Sequence, residues 1–180
     1  QFALDSGFVK KDLLTEEAER TYRDWLKHSE YKPKINVEQH DTIGLIALDK
    51  EGRFSAGCST SGLAYKMAGR VADSCLVGSG IYLDPKAGAA VATGYGEHII
   101  KTAASFLAVE EMRRGAEPEL ACKRSIRRIF ERTPRTDYQA GLIACNSDGD
   151  VGAFSMREGF NYVLSRSGNT RIHEAEHLLS

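Results

Sequence analysis

The stretch His40-Asp41-Thr42-Ile43-Gly44 lies where a polar segment meets the first apolar run of the chain. The residues before it, 31–39 (YKPKINVEQ), are charged and show no regular pattern. Residues 43–49 (IGLIALD) form a short apolar run that ends in a turn, and such a run predicts a buried strand. Thr42 therefore begins a predicted core strand. A β-branched threonine at the start of a strand is ordinary, so any functional meaning has to come from the rest of the chain.

Composition limits the class of protein. The 180 residues are enough for one domain with a hydrophobic core. Apolar and charged contents of 42% and 27% are typical of a globular protein, and no apolar run approaches the ~20 residues that a membrane helix needs. The net charge of −1 lacks the basic excess of a nucleic-acid-binding protein. We therefore expect neither a nucleic acid nor a membrane as partner.

The four cysteines argue against a metal site. None of them forms a CxxC pair, so neither a zinc site nor a disulfide framework is expected. Cys58, Cys122 and Cys145 have apolar neighbours in the sequence and are predicted to be buried thiols. The chain begins with Gln1, which is not a natural start, so we expect an upstream segment in the complete protein.

The spacing of apolar residues predicts both helices and strands. Thr15 followed by Glu16 and Glu17 is typical of a helix N-terminus, and a helix is expected over residues 16–27. After Thr42 the predicted strands are residues 43–49, 53–60, 87–93, 139–145, 151–156 and 160–164, and the predicted helices are residues 98–114 and a segment starting at residue 118. Residues 61–97 are rich in glycine and predict a loop-rich, site-building region. A helix pair between runs of strands favours a layered α+β domain over a doubly wound sheet.

Four motifs follow one another along the chain: HDTIG (40–44), STSG (59–62), GRVADS (69–74) and ATGYGE (92–97). In this order and spacing they resemble the glycosylasparaginases, also called aspartylglucosaminidases, a family of N-terminal-nucleophile hydrolases. The resemblance runs from the first residues to about residue 162. It implies that the α+β domain is part of a four-layer αββα sandwich. It also implies no metal or organic cofactor, and a periplasmic, secreted or lysosomal location.

The resemblance also divides the chain at the bond between Asp41 and Thr42. Residues 1–41 resemble the C-terminal part of an α subunit with a polar linker, and residues 42–180 resemble a β subunit that begins at the nucleophile. The earlier part of the α subunit has no counterpart in this sequence. This remaining α-subunit segment is therefore an expected partner, in an (αβ)2 assembly.

Amide hydrolysis requires a nucleophile, a base for its proton and donors for the oxyanion. A threonine hydroxyl is a weak nucleophile, but a free α-amino group on the same residue has a reference pKa of about 7.7–8.0 and can act as the base. That amine exists only after the Asp41–Thr42 bond has been cut. The resemblance implies that the precursor cuts this bond itself, with Thr42 attacking first its own peptide bond and then the substrate. His40 flanks the bond and is given no role in the mature enzyme.

The other catalytic residues are assigned by the resemblance alone. Thr60 matches a threonine whose hydroxyl bonds the nucleophile and tunes it, although a strand threonine facing a neighbour is a similar alternative. Thr93 and Gly94 match an oxyanion hole formed by one hydroxyl and one backbone N–H. Gly96 matches a position that contacts the substrate, and its Gly-x-Gly pattern with Gly94 is weak evidence by itself.

Arg70 and Asp73 match the pair that holds the amino-acid end of the substrate. A guanidinium binds a carboxylate through a two-pronged contact, and a carboxylate receives an ammonium. Their separation in the sequence is equally consistent with a local salt bridge. The sequence departs from the family at Ala72, where glycine is common, and at Cys75, where proline is common. We therefore expect the loop between Arg70 and Asp73 to differ in shape.

Three functions remain open at this point. The first is hydrolysis of the bond between N-acetylglucosamine and asparagine in small-molecule glycosylasparagine, through an aspartyl ester on Thr42. The second is a plant-type L-asparaginase or isoaspartyl peptidase, which has the same nucleophile and a different leaving group. HDTIG favours the first, since those relatives tend to have a GTVGAVA-like start. The third is a catalytically silent fragment that retains the fold.

Overall fold

The computed structural model describes residues 2–12, 14–28, 42–67 and 69–179. The chain divides into two compact units, residues 1–32 and residues 33–180. None of the helices in this described part is long and apolar enough to cross a membrane.

The first unit holds two helices, α1 (Phe2–Asp5) and α2 (Glu16–Leu26). The Thr15 hydroxyl accepts a hydrogen bond of 3.1 Å from the backbone N–H of Ala18, so one of the unpaired amides of the first turn is satisfied. Acidic residues follow in the first turn, where their negative charges interact favourably with the positive end of the helix dipole. The predicted helix and its N-terminal cap are confirmed.

The second unit contains the remaining elements. Its strands are β1 (Ile43–Leu48), β2 (Phe54–Ser59), β3 (Ile81–Asp84), β4 (Gly88–Gly94), β5 (Ala140–Asn146), β6 (Val151–Arg157), β7 (Asn161–Arg166), β8 (Asn169–Glu174) and β9 (Glu176–Leu179). Its helices are α3 (Gly96–Thr102), α4 (Ala104–Arg113) and α5 (Pro118–Arg132), and a 3₁₀ turn spans Asp73–Cys75.

A five-stranded sheet forms the centre of this unit, in the order β3-β4-β5-β6-β9. Its pairs are antiparallel except for β6 with β9, and β1–β2 and β7–β8 form separate antiparallel hairpins. Helices α4 and α5 cover one face, where Ala90 and Ala92 join Leu142 and Phe154 in the main hydrophobic core. Because side chains alternate along a strand, Val91 points to the opposite face.

The β1–β2 hairpin packs on that opposite face. A Cβ added to Gly44 would lie 2.8 Å from Cγ2 of Val91, so glycine is what allows β1 to approach the sheet closely. Ile43 and Leu45 point the other way and are 68% and 58% exposed. No residue of β1 is buried, so the prediction of a buried core strand over residues 43–49 is wrong: β1 is an outer strand whose inner face packs on the central sheet. The described layers are therefore helices, sheet and hairpin, which confirms a layered α+β domain.

The prediction of one continuous helix over residues 98–114 is wrong, because the structure has two helices there. Ala103 adopts a left-handed conformation with φ of 46° and separates α3 from α4. The first amides of α4 then bond a neighbouring loop: Ser105 N–H donates to the Ser79 carbonyl at 3.2 Å and Phe106 N–H to the Gly78 carbonyl at 2.9 Å. The Ser105 hydroxyl donates to the same Ser79 carbonyl at 2.6 Å. These partners come from a loop more than twenty positions earlier, so apolar spacing carries no sign of the break.

The other predicted strands and the helix starting at Pro118 are confirmed to within about two residues. The region of residues 61–97 is more regular than expected, since it contains β3 as well as β4. The sequence does not predict β8, whose residues are mostly polar and exposed, or β9, whose four residues are too few to show an apolar pattern.

We expect Gly152→Ala to destabilise the fold strongly. A Cβ at this position would lie 2.2 Å from the backbone nitrogen and 2.6 Å from Cα of Glu119, at the start of α5. Because backbone atoms cannot rotate away, the loss of unfolding free energy should reach or exceed the roughly 1–3 kcal/mol typical of overpacking. Gly57→Ala is the control, since a Cβ there meets nothing within 4 Å. Urea unfolding of the purified variants measures both, and equal stabilities would contradict the packing of α5 on β6.

Candidate active site

Thr42 and Thr60 face each other across the open end of the first hairpin. The register pairs Ile43 with Ser59, which sets the preceding Thr42 opposite Thr60. Their Oγ1 atoms are 2.8 Å apart, and either hydroxyl is able to donate. The backbone N–H of Gly62 donates to Thr60 Oγ1 at 2.9 Å, which fixes that hydroxyl. His40 and Asp41, on the other side of the predicted cleavage bond, lie outside the described residues.

A groove of about 400 Å³ begins at Thr60 and is open to solvent. It is lined by the end of β2, the following loop and the 3₁₀ turn: Cys58, Ser59, Thr60, Ser61, Gly62, Lys66, Arg70, Val71, Ala72, Ser74 and Cys75. Thr60, the hydrogen-bond partner of the predicted nucleophile, and Arg70 therefore border the same groove, whereas the lining residues do not include Thr42 or Asp73. This volume lies within the range of sites that bind small molecules.

Arg70 forms a two-pronged ion pair with Glu97 on α3. Its Nε donates to Oε1 at 2.7 Å and its Nη2 donates to Oε2 at 2.9 Å. The Arg70 side chain is 12% exposed, and the Glu97 side chain is 36% exposed. The hydrogen bond from Arg70 lowers the pKa of Glu97, so the carboxylate stays charged at neutral pH.

Asp73 is a buried carboxylate, 4% exposed, in the 3₁₀ turn. Among the described residues its Oδ2 has no hydrogen-bond partner. Burial raises the pKa of Asp73 to about 6, with a further rise from Glu97 and an opposing effect from Arg70. A buried carboxylate oxygen without a partner is costly, and an ammonium group would satisfy it.

The predicted glycines lie against this cluster. A Cβ on Gly96 would lie 2.5 Å from Oδ1 of Asp73, so only glycine leaves room for the carboxylate there. Gly94 ends β4 with φ of 128°, a conformation that side chains rarely adopt, and a Cβ there would lie 2.2 Å from the Gln139 carbonyl oxygen. Thr93 precedes it, half-buried, at the end of β4. The segment from Thr93 to Gly96 thus leads from the core sheet to Asp73.

The structure therefore brings predicted site residues into contact in two places. Thr42 contacts Thr60, and Gly96 contacts Asp73. Two residues that sequence reasoning left without a role also belong here: Glu97, and Lys66, whose Nζ donates to the Ser61 carbonyl at 2.7 Å. The sequence signal for Glu97 was its position next to Gly96 in the ATGYGE motif.

The cysteines are all free thiols. Cys122 and Cys145 are buried as predicted, and burial raises the pKa of both. Cys58 is half-buried and Cys75 exposed, and both border the groove. In the described part of the chain, no group of three His, Cys, Asp or Glu side chains is placed to hold a metal ion.

The raised pKa of Asp73 predicts a stability change with the opposite sign to that of most carboxylates. The folded state holds this proton more tightly than the unfolded state, so the stabilisation is present below about pH 4 and is lost as pH rises through about 6. Asp73→Asn should therefore gain roughly 2 kcal/mol over the unliganded wild type between pH 4 and pH 7.

The control for this comparison is Asp84→Asn. Hydrogen bonds from the Lys86 backbone and from Arg113 lower the pKa of Asp84, so this variant should lose stability at neutral pH and recover it on acidification. Urea unfolding at several pH values measures both differences. Parallel curves for wild type and Asp73→Asn would show that Asp73 is not protonated near pH 6.

Comparison with known proteins supports the family resemblance of the four motifs. The model of a family described as asparaginase matches residues 3–173. An N(4)-(beta-N-acetylglucosaminyl)-L-asparaginase from Elizabethkingia miricola is 46% identical over 177 residues, covering 96% of this chain and 52% of the relative. Relatives of the same name from Rattus norvegicus and Mus musculus are 34% and 33% identical, covering 87% and 93% of this chain and 54% and 58% of their own length. The chain thus spans about half the length of the curated relatives it matches.

Proposed function

The chain belongs to the asparaginase family whose model it matches, and on this premise we propose that it is part of a self-cleaving amidohydrolase. The proposed substrate is free glycosylasparagine, whose bond between N-acetylglucosamine and the asparagine side chain is hydrolysed. The products are aspartate and the amino sugar. The curated relatives named N(4)-(beta-N-acetylglucosaminyl)-L-asparaginase support this substrate.

The observation that carries the proposal is the 2.8 Å contact between Oγ1 of Thr42 and Oγ1 of Thr60 beside the groove. Thr60 Oγ1 also accepts a hydrogen bond from the Gly62 N–H, so the Thr42 hydroxyl faces a partner whose position is fixed. Here the neighbouring hydroxyl is held in place to hydrogen-bond the nucleophile, which is what an activated nucleophile needs.

The proposed reaction has two steps. The α-amine of Thr42, freed by cleavage, takes the hydroxyl proton while Oγ1 attacks the side-chain carbonyl carbon of the substrate. The Thr93 hydroxyl and the Gly94 N–H stabilise the oxyanion. The C–N bond then breaks, and the amino sugar leaves with the proton and an aspartyl ester stays on Thr42. Water hydrolyses the ester, which releases aspartate and restores the hydroxyl.

The amino-acid end of the substrate is assigned to Arg70 and Asp73. We propose that Arg70 binds the α-carboxylate and that the buried Asp73 carboxylate receives the α-ammonium. The partnerless Oδ2 of Asp73 supports the second contact. Gly96 borders Asp73 closely enough to contact the same ligand. The enzyme would then act on glycosylasparagine after proteolysis has freed both α-groups.

The rest of the enzyme is also part of the proposal. Cutting the Asp41–Thr42 bond would separate residues 1–41 of an α subunit from residues 42–180 of a β subunit. The exposed Ile43 and Leu45 on the outer face of β1 are suited to cover by the remaining α-subunit segment. That segment would complete a four-layer αββα sandwich, in an (αβ)2 assembly with a periplasmic, secreted or lysosomal location.

A substrate panel tests the proposed reaction. The complete, cleaved protein is assayed with free glycosylasparagine, L-asparagine and an isoaspartyl dipeptide, and aspartate is quantified. We expect the highest kcat/KM for glycosylasparagine. Preference for L-asparagine or the dipeptide would favour the plant-type alternative, and no turnover of any of the three would favour a catalytically silent protein.

Thr93→Ala tests the oxyanion donor. Removing one of two donors should lower kcat on glycosylasparagine by about 10²–10³, because the other donor remains. The assay uses protein that has already been cleaved, so that a slower maturation does not enter the rate. Thr170→Ala, on the exposed strand β8, is the control and should keep full activity. A loss below roughly threefold for Thr93→Ala would remove Thr93 from the oxyanion hole.

A further inference from the structure

Glu97 holds the guanidinium of Arg70 through two hydrogen bonds. The two hydrogen bonds, 2.7 Å from Nε and 2.9 Å from Nη2, use both carboxylate oxygens. Such a contact fixes the plane of the guanidinium as well as its position. The pair joins residues 27 positions apart, so it also ties the groove loop to α3.

Arg70 itself lies in a segment with little regular structure. The described residues between β2 and the 3₁₀ turn, 60–67 and 69–72, form no helix or strand, and Arg70 lies near their end. A free arginine side chain has about 2 kcal/mol of rotamer entropy to lose when it binds a ligand. Where Glu97 already holds it, most of that loss has occurred before the ligand arrives.

Glu97 is itself held firmly by its two neighbours in α3. Gly96, on one side, packs against Asp73. His98, on the other, is buried against the rings of Tyr95 and Tyr138, with ring centroids 4.6 Å and 4.5 Å away. Ile99, the next residue, is fully buried. The carboxylate of Glu97 is therefore presented from a rigid part of the fold.

We infer that Glu97 is a positioning residue that orients Arg70 toward the α-carboxylate of the substrate. This inference rests on the proposed function of Arg70. Gly96 and Glu97 are neighbours in α3: Gly96 packs against Asp73, and Glu97 pairs with Arg70. These are the two residues assigned to the amino-acid end of the substrate. Glu97 thereby contributes to the choice of substrates with a free carboxylate, although it acts through Arg70.

Glu97→Gln is the direct test, because it keeps the shape of the side chain and removes its charge. We expect KM for glycosylasparagine to rise at least about tenfold, the effect of losing one hydrogen bond to a charged group. The carboxylate contact is the same in the ground and transition states, so kcat should change by less than about threefold. On a substrate with an amidated α-carboxylate, wild type and variant should behave alike. A purely structural role would affect both substrates equally.

Glu111→Gln is the matched control. Glu111 is also a partly buried glutamate on a helix, and it pairs with Arg114 and Arg124 away from the groove. Its loss should leave KM and kcat unchanged on both substrates.

The double variant Arg70→Ala/Glu97→Gln tests whether Glu97 affects substrate binding only through Arg70. Residues that work as a unit are not additive, so the double variant should bind substrate no more weakly than Arg70→Ala alone. A further loss in the double variant, or an unchanged or lower KM for Glu97→Gln, would overturn the inference.

Binding of aspartate, measured by calorimetry, distinguishes a failure of the role of Glu97 from a failure of the proposed function. Wild type should bind aspartate, and Glu97→Gln should bind it at least about tenfold more weakly. Normal wild-type hydrolysis and binding, with no change in Glu97→Gln, would overturn the role of Glu97 alone. A wild type that neither hydrolyses glycosylasparagine nor binds aspartate would overturn the proposed function and the inference with it.

Discussion

Thr42→Ala is expected to leave one uncut chain that has no amidase activity. The substitution removes the only hydroxyl of the residue that would attack both the Asp41–Thr42 bond and the substrate. Without the cut, the α-amine that serves as base does not exist either, so both reactions fail together. Mass spectrometry of the purified protein distinguishes one intact mass from two fragments that separate before Thr42.

The matched variants for this experiment are Thr42→Ser and Ser55→Ala. Serine keeps a hydroxyl, so Thr42→Ser should still be cut, and Ser55 lies on the exposed face of the same hairpin and should not matter. If pure Thr42→Ala protein were still cut at the same bond, self-cleavage by Thr42 would be wrong. An intact wild-type chain that still hydrolysed glycosylasparagine would refute the requirement for a free α-amine.

Arg70→Ala is expected to remove the preference for a free α-carboxylate. Losing one partner of a buried, charged contact typically costs about 2–5 kcal/mol, much of it because the other charge is left unpaired. In this site the removal leaves Glu97 without the partner that lowers its pKa, as well as the substrate carboxylate without its cation. The measurement is kcat/KM for substrates with a free and an amidated carboxylate. Wild type should discriminate strongly, and the variant hardly at all.

Arg70→Lys and Arg113→Ala complete that comparison. Lysine keeps the charge but loses the planar fork, so Arg70→Lys should retain weak binding of the free-carboxylate substrate. Arg113 forms ion pairs with Asp84 and Glu110 away from the groove, and its loss should leave discrimination intact. Equal discrimination by wild type and Arg70→Ala would mean that Arg70 is only a structural partner of Glu97.

The arrangement of charges supports the proposed binding of an ammonium group beside Asp73. Arg70 and Glu97 nearly neutralise each other, and the adjacent Asp73 is held at a pKa of about 6 by burial. Above that pH Asp73 carries a negative charge in a buried position, which an ammonium would neutralise. An ammonium bound to Asp73 should therefore lower the pKa of Asp73.

Local sequence determined the regular elements with a strong apolar pattern. The helix α2 follows from Thr15 and the acidic first turn, and α5 follows from Pro118 at its first position. The strand β1 follows from an apolar run between a polar segment and a turn. These signals depend on neighbours within a few residues, which is why they are readable without the fold.

Tertiary structure decided the elements whose partners are distant. The break at Ala103 arises because the carbonyls of Gly78 and Ser79 bond the first amides of α4. The strand β9 pairs with β6 in parallel, and its sequence EHLL has no apolar alternation. In each case the stabilising contact comes from a segment that is remote in the sequence, so no local pattern records it.

The site divides in the same way. The sequence determined the identity of the hydroxyl and charged side chains proposed for the site, from Thr42 to Asp73, because these residues belong to the four motifs. Only the folded chain decided that the hydroxyls of Thr42 and Thr60 meet at 2.8 Å and that Arg70 pairs with Glu97. Both contacts depend on register and on the packing of α3, which place distant residues within hydrogen-bonding distance once the core has formed.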